Sequence, residues 1–410
     1  MGAAIKEIKL LALHPLTPAV ETTRVSASAA GLYIHIPFCL KKCPYCDFYS
    51  ITDLSKKEAY LKALTVEIAQ RKQGANHPFD TVYIGGGTPS ILSGLEIEKI
   101  LETVRSSFKI LPSTEITLEI NPGTLDVKAL GAYRRAGVTR ISVGVQSFND
   151  QILKTLERIH TVDEVDRALK QVIAGGFNRA SIDLIYGIPG QSMADLRSDL
   201  DQATQLGIDH ISCYMLSFEP GTEFELRKQA GKIKPMPDTK TAEMFKVVVS
   251  VLSNRGYAPY EISNFSRPGC QSRHNVKYWD GTSYLGVGAG AHSFNGTTRS
   301  WNHRHVERYI KSIAEGLLPL SGKEELTRSQ HMLEAIYLGL RTTAGIEKAD
   351  FERRFNIDFE AVFGDVMFDF KLRGMIDENE RYLALTIDGM LFLDAIIDRM
   401  SDQVDDDWNG

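Results

Sequence analysis

Cysteine is scarce in this chain. Of five among 410 residues, three (Cys39, Cys43 and Cys46) fall within eight positions, while Cys213 and Cys270 stand far away. So small and bunched a set excludes a disulfide framework and points to metal held in a reducing compartment. Long apolar runs are also missing. None approaches the roughly 20 residues a spanning helix needs, which excludes helical insertion through a membrane. Positive charge is not in excess: 47 Lys and Arg against 52 Asp and Glu give a net charge of −5. Nucleic acid is therefore not an expected partner. A secretory leader is not expected, because Leu10–Leu13 is too short an apolar run and Lys6, Glu7 and Lys9 interrupt what precedes it. The expected compartment is the cytoplasm, with an organelle-targeting reading of Lys6, Arg24 and the early Ser and Thr residues left open.

What is present is a globular composition with 43% hydrophobic and 24% charged residues. From Gly31 a strand-then-helix rhythm repeats, with strands over Leu32–Ile36, Thr81–Ile84, Glu115–Ile120, Thr139–Val145, Arg179–Ile185 and Ile208–Met215. Helical periodicity fills the intervals, as in Lys56–Arg71, where Leu61, Leu64 and Ile68 share one face. Alternating units of this kind predict an α/β fold built on a parallel sheet. At period two each strand sets one apolar row against one polar row. Ile116, Leu118 and Ile120 oppose Thr117 and Glu119; Ile182 and Leu184 oppose Ser181 and Asp183. A parallel sheet covered on both faces would be apolar on both. The pattern predicts instead a partial, TIM-like (β/α) barrel whose polar lumen opens at the strand ends.

The chain divides into five expected parts. Residues 1–30 are a poorly ordered lead-in, 31–262 form the partial barrel, and 263–326 are loops and linker covering the site. Residues 327–402 form a helical, winged-helix-like module with a hairpin near 375–386, and 403–410 are an acidic tail. The acidic end makes packing or protein docking a better use of that module than nucleic-acid binding.

Cys39-x-x-x-Cys43-x-x-Cys46 follows the first strand directly. Three thiolates on one short loop can hold three irons of a 4Fe–4S cube and leave the fourth free. A structural zinc ion is the rival; it needs a fourth ligand, for which His35 is a candidate. Incidental thiols are the bland alternative.

With these residues in view, the segment Tyr33-Ile-His-Ile-Pro-Phe-Cys39 through Cys43-Pro-Tyr-Cys46-Asp-Phe resembles the signature of radical S-adenosylmethionine proteins. Within that family it is similar to the branch of the coproporphyrinogen dehydrogenases and haem chaperones. The resemblance runs from about Gly31 to the C-terminus. It implies that Cys39, Cys43 and Cys46 carry the cluster, that S-adenosylmethionine chelates its free iron, and that reduction of this cofactor, if it occurs, needs an external electron donor. It further implies cofactor contacts from Tyr33, from Gly86, Gly87 and Thr88 in the Gly85-Gly-Gly-Thr-Pro89 segment, and from Glu119, Gln146, Arg158 and Asp183. Each has a plain alternative: the glycine segment as a turn, Arg158 as a surface charge, Glu119, Gln146 and Asp183 as structural polar groups, and Tyr33 as a core aromatic.

Two features choose within the branch. The coproporphyrinogen dehydrogenases carry another cysteine two residues after the third, where this chain has Phe48. His274-Asn-Val-Lys-Tyr278-Trp279 resembles the H-N-x-x-Y-W motif of the HemW-type haem chaperones. That resemblance implies haem binding and delivery to apo-haemoproteins, including respiratory oxidases at the membrane, with peripheral membrane contact and a homodimer left open. His274 is then a candidate haem ligand and Tyr278 and Trp279 candidate porphyrin contacts. The other reading has His274 and Asn275 hydrogen-bonding loop backbone while the two aromatics fill a core seam. His292, in Gly290-Ala-His-Ser293, is read either as a site wall or as a loop hydrogen-bonder. Oxygen-independent oxidation of coproporphyrinogen III is the alternative function, and a zinc-stabilised binding barrel the third.

Overall fold

The computed structural model describes residues 29–404 except 75, 76 and 178. The expectations for residues 1–28 and for the acidic stretch beyond 404 lie outside the described residues.

Six parallel strands follow one another in space as in sequence: β1 (Ala30–Ile36), β2 (Phe79–Gly86), β3 (Ile110–Ile120), β4 (Arg140–Gln146), β5 (Arg179–Tyr186) and β6 (His210–Met215). Between them run α1 (Lys57–Gln70), α2 (Gly94–Ser107), α3 (Val127–Arg135), α4 (Asp150–Thr155), α5 (Val162–Ala174) and α6 (Met193–Gln205). The alternation has the expected consequence. Leu32, Ile34, Ile36, Val82, Ile84, Leu118, Ile141, Val143, Val145, Ile182 and Ile211 are all buried in the core shared with the helices. The opposite row, from Tyr33 and His35 through Glu119 to Asp183, lines the lumen.

Helix starts are fixed locally. Ser93 and Glu96 form a capping box at α2, as do Thr161 and Glu164 at α5 and Ser192 and Asp195 at α6. After β6 come α7 (Glu223–Gln229) and α8 (Asp238–Asn254), then β7 (Ala258–Pro259) and β8 (Asn264–Ser266), which extend the sheet antiparallel beyond β6.

The segment 263–326, read from the sequence as loops, is largely regular. It contains α9 (Arg273–Trp279), β9 (Tyr284–Val287), β10 (His292–Phe294), β11 (Thr298–Asn302), α10 (Val306–Ala314) and β12 (Leu320–Glu325). Strand β9 joins β1 in parallel, and β10, β11 and β12 continue antiparallel, so among the described residues the sheet has twelve strands and two unjoined edges. These elements lack a readable period because they are short and glycine-rich. At Gly286 a Cβ would lie 2.0 Å from the His292 carbonyl oxygen, so only glycine allows that approach.

The C-terminal part comprises α11 (Arg328–Arg341), α12 (Lys348–Phe355), α13 (Phe359–Leu372), α14 (Ile387–Met390) and α15 (Leu393–Ser401). A three-stranded sheet accompanies them, from β13 (Ile346–Glu347), β14 (Ile376–Glu378) and β15 (Tyr382–Leu385). Its phenylalanine core (Phe351, Phe355, Phe359, Phe363, Phe370) is continuous with that of the barrel. No helix among the described residues is long and apolar enough to cross a membrane.

Candidate cofactor site

The cysteine loop leaves the tip of β1 and is pinched at its base. Ile51 N–H donates to Pro37 O at 2.7 Å and Cys39 N–H to Ile51 O at 3.0 Å. Phe38 is fully buried edge-on to Tyr60 of α1, and Tyr45 packs against Phe224 of α7, whose N–H donates to Pro44 O. A loop tied at both flanks presents its sulfurs with little freedom.

The Gly85-Gly-Gly-Thr-Pro89 turn lies directly alongside. Gly87 N–H donates to Ile36 O and Thr88 N–H to Phe38 O, both at 2.8 Å, which carries the β1–β2 pairing past the strand ends. Gly86 has φ +111°, and a Cβ there would sit 2.5 Å from the His35 ring. Thr88 Oγ1 donates to Cys39 Sγ at 3.3 Å. From the other side Arg158, between α4 and α5, approaches Cys43 Sγ and the Tyr45 hydroxyl, both at 3.3 Å.

The strand tips supply the acids. Glu119 accepts from Tyr83 OH at 2.7 Å and from Gly86 N–H at 3.1 Å; burial pushes its carboxyl up to about 7. Asp183 is raised by burial to about 6, with the Ser212 and Ser142 hydroxyls opposing the shift. Gln146 ends β4 at a register shift with φ +69°, a left-handed conformation unusual for a non-glycine residue. Tyr33 stands lower in the lumen, its OH 3.0 Å from His35 Nδ1.

These residues suit a cluster with a bound zwitterion. Among the described residues no three His, Cys, Asp or Glu side chains stand close enough together to share one metal ion. Zinc needs all its ligands within about 2.3 Å, whereas a cube gives each thiolate its own iron. His35 is no fourth ligand, since Tyr33 and the Tyr49 carbonyl engage its two nitrogens. Arg158 Nε is buried without a partner beside Cys43, a donor left over for an acidic group. Sequence reading missed Tyr83, although it shares the lumen row of β2 with Gly85.

His274 lies elsewhere. It belongs to helix α9, which plugs the opposite end of the barrel, where the strands begin. Arg273 and Lys277 bind Asp80 at the start of β2, each at 2.8 Å, and Lys277 also donates to Ala29 O. The His274 imidazole is buried, with Nδ1 2.8 Å from Thr81 Oγ1 and Nε2 3.0 Å from Tyr278 OH. Burial lowers its pKa to about 3. The expectation of a haem ligand at His274 thus meets a neutral ring with both nitrogens engaged. Its partners are side-chain hydroxyls rather than loop backbone. Trp279 lies under the Arg341 guanidinium at 4.5 Å.

A cysteine loop at the first strand tip of a half-open (β/α) barrel, flanked by a glycine cradle and strand-tip acids, defines a radical S-adenosylmethionine protein. The radical SAM superfamily model matches residues 33–203, and the HemN C-terminal domain model matches residues 326–392. The protein named "Heme chaperone HemW" from Mycobacterium tuberculosis (strain CDC 1551 / Oshkosh) is 37% identical over 372 residues, 90% of this chain and 93% of its own. Its counterpart from Bacillus subtilis (strain 168) is 36% identical over 88% of this chain and 96% of its own. The chain belongs to the HemW family of radical SAM proteins. The solved coproporphyrinogen III oxidase (HemN) of Escherichia coli superposes with a TM-score of 0.79 at 24% identity, over 91% of this chain and 90% of that one, a likeness of fold.

Proposed function

We propose that this protein is a haem chaperone, which binds haem together with a 4Fe–4S cluster and S-adenosylmethionine and delivers the haem to apo-haemoproteins. The observation that carries this reading is the likeness, along nearly the whole chain, to relatives bearing the name haem chaperone. Cys39, Cys43 and Cys46 would hold the cluster. Gly86, Gly87 and Thr88 give backbone and hydroxyl contacts beside it, Arg158 supplies a cation, and Tyr33, Glu119, Gln146 and Asp183 line the cofactor's side of the lumen. When bound, such a cluster can pass one electron to the sulfonium. The chain's own residues orient the cofactor and exclude water from the lumen.

Phe48 supports the chaperone over coproporphyrinogen III oxidation. It stands where the dehydrogenases have a further cysteine, and it is 67% exposed, with its side chain directed to solvent. The work is assigned to the cytoplasm, with peripheral contact at the inner membrane when the recipient is a respiratory oxidase. A homodimer and an external electron donor belong to the same reading.

The test is anaerobic reconstitution with iron and sulfide, followed by two separate incubations. With haem, stoichiometric binding and transfer to an apo-haemoprotein are expected. With coproporphyrinogen III and S-adenosylmethionine, turnover to protoporphyrinogen would overturn the chaperone assignment in favour of the dehydrogenase.

A further inference from the structure

A cavity of about 480 Å³ lies away from the cysteine loop, between the end of α9, the β9–β12 wing and helix α11. Its volume is within the range of about 300–1,000 Å³ typical of pockets for cofactor-sized ligands. Tyr278, Trp279, Tyr284, Phe294 and Trp301 form its walls. The register explains how they come together. Tyr284 pairs with Gly31 and Phe294, and His292 with Trp301, so these side chains share the sheet face that Gly31 turns toward His274.

Its polar groups are unusual for a structural seam. The His292 imidazole stacks on Trp301, with ring centroids 6.0 Å apart, and makes no hydrogen bond among the described residues. Burial, helped by Arg304 and Arg299, lowers its pKa, which keeps the ring neutral and able to ligate. Trp279 Nε1 is a buried donor without a partner. Arg299, paired with Glu334, also lines the cavity. A flat aromatic ligand carrying a metal and acidic side groups answers this set. Aromatic faces take the ring, the imidazole takes the metal, and the indole N–H donates to an acidic group, while Arg299 is held by Glu334, which lines the cavity together with Glu324.

We infer that this cavity is the haem site, with His292 as the iron ligand in place of His274. The inference rests on the haem reading proposed above and assigns that reading a location. The two motif aromatics, Tyr278 and Trp279, then contact the porphyrin, while the motif histidine holds Tyr278 in position from behind.

The decisive experiment is titration of the full-length protein with haem, followed by visible and resonance Raman spectroscopy, in wild type, His292→Ala and Leu338→Trp. Wild type is expected to bind one haem with a histidine-ligated spectrum. His292→Ala should lose that signature and weaken binding at least tenfold, with millimolar imidazole restoring the spectrum. Leu338→Trp narrows the cavity and should weaken binding while the ligation signature of any bound haem persists. Because His292 is only partly buried and makes no hydrogen bond among the described residues, thermal melting of His292→Ala should stay close to wild type. Should His292→Ala bind haem with unchanged affinity and spectrum, the site is wrong and the chaperone reading stands. Should wild type bind no haem, the chaperone reading fails and the site with it.

Discussion

Arg158 Nη1 stands 3.3 Å from Cys43 Sγ, across a separation of 115 residues. The same guanidinium donates to the Gly144 carbonyl at 3.3 Å, so one side chain ties the cysteine loop to the end of β4. A buried cation beside Cys43 offsets part of the negative charge that thiolates and an acidic cofactor bring together. Charge-assisted hydrogen bonds of this kind contribute about 1.5–3 kcal/mol. Arg158→Gln should therefore weaken S-adenosylmethionine binding by roughly tenfold or more, with Arg158→Lys intermediate because it keeps the charge and loses the fork. Calorimetric titration of the reconstituted protein measures this. Equal affinity in wild type and Arg158→Gln would reduce Arg158 to a loop brace.

The thiols separate by position. Cys39→Ser, Cys43→Ser and Cys46→Ser should each abolish bound iron and the associated visible absorption after reconstitution. Cys270→Ser should leave both intact, because Cys270 lies in a loop near the start of β4, its thiol donating to the Pro268 carbonyl. Iron and sulfide analysis per chain decides the matter. Wild-type iron in any of the three loop variants would remove that cysteine from the ligand set.

Much of this arrangement is legible in the sequence, for a physical reason. Strand alternation is a local property, so the apolar rows of β1 to β6 and the polar row carrying Tyr33, Glu119 and Asp183 can be read at period two. The cysteine spacing and the glycine run are local as well. What cannot be read is contact across the sheet: Arg158 on Cys43, or Thr81 on His274 from 193 residues away. The β9–β11 wing escapes for a different reason. Strands of three to five residues are too short to show a period, and glycines at 286, 288 and 290 look like loop. That is why a pocket-lining histidine at 292 was readable only as one of two things.

His274 sits in the barrel plug, and its replacement should register as lost stability. Removing a buried ring that bridges Thr81 and Tyr278 leaves a cavity and two hydroxyls short of a partner. Together these effects cost about 3 kcal/mol. Denaturant unfolding of His274→Ala should show a loss of that order. Haem bound to the folded variant should keep the wild-type spectrum. A vanished histidine-ligation signature in a variant of wild-type stability would return the iron to His274.

Gln146 should show a trade between strain and function. Its φ of +69° costs an L-residue about 1 kcal/mol that glycine avoids. Gln146→Gly is therefore expected to raise the melting temperature of the cofactor-free protein slightly while lowering S-adenosylmethionine affinity. A variant both less stable and fully competent to bind would contradict the role given to this strand end.

Glu119 provides the pH test. Its carboxyl titrates at about 7 in the folded chain against an ordinary 4.5, chiefly because burial disfavours the charged form. Between those values the folded state holds more protons than the unfolded one. Stability of the cofactor-free protein therefore falls as pH rises from about 4.5 to about 7, by roughly 3 kcal/mol in all. Gln in this place cannot ionise. Its oxygen can accept from Gly86 N–H while its amide donates to a rotated Tyr83 hydroxyl, so the local hydrogen bonds survive. Glu119→Gln should thus melt higher than wild type at pH 8, with the difference shrinking toward zero near pH 4.5. A stability difference that does not change with pH would mean that Glu119 is not the group titrating there, and that the lumen around it is wetter than the structure indicates.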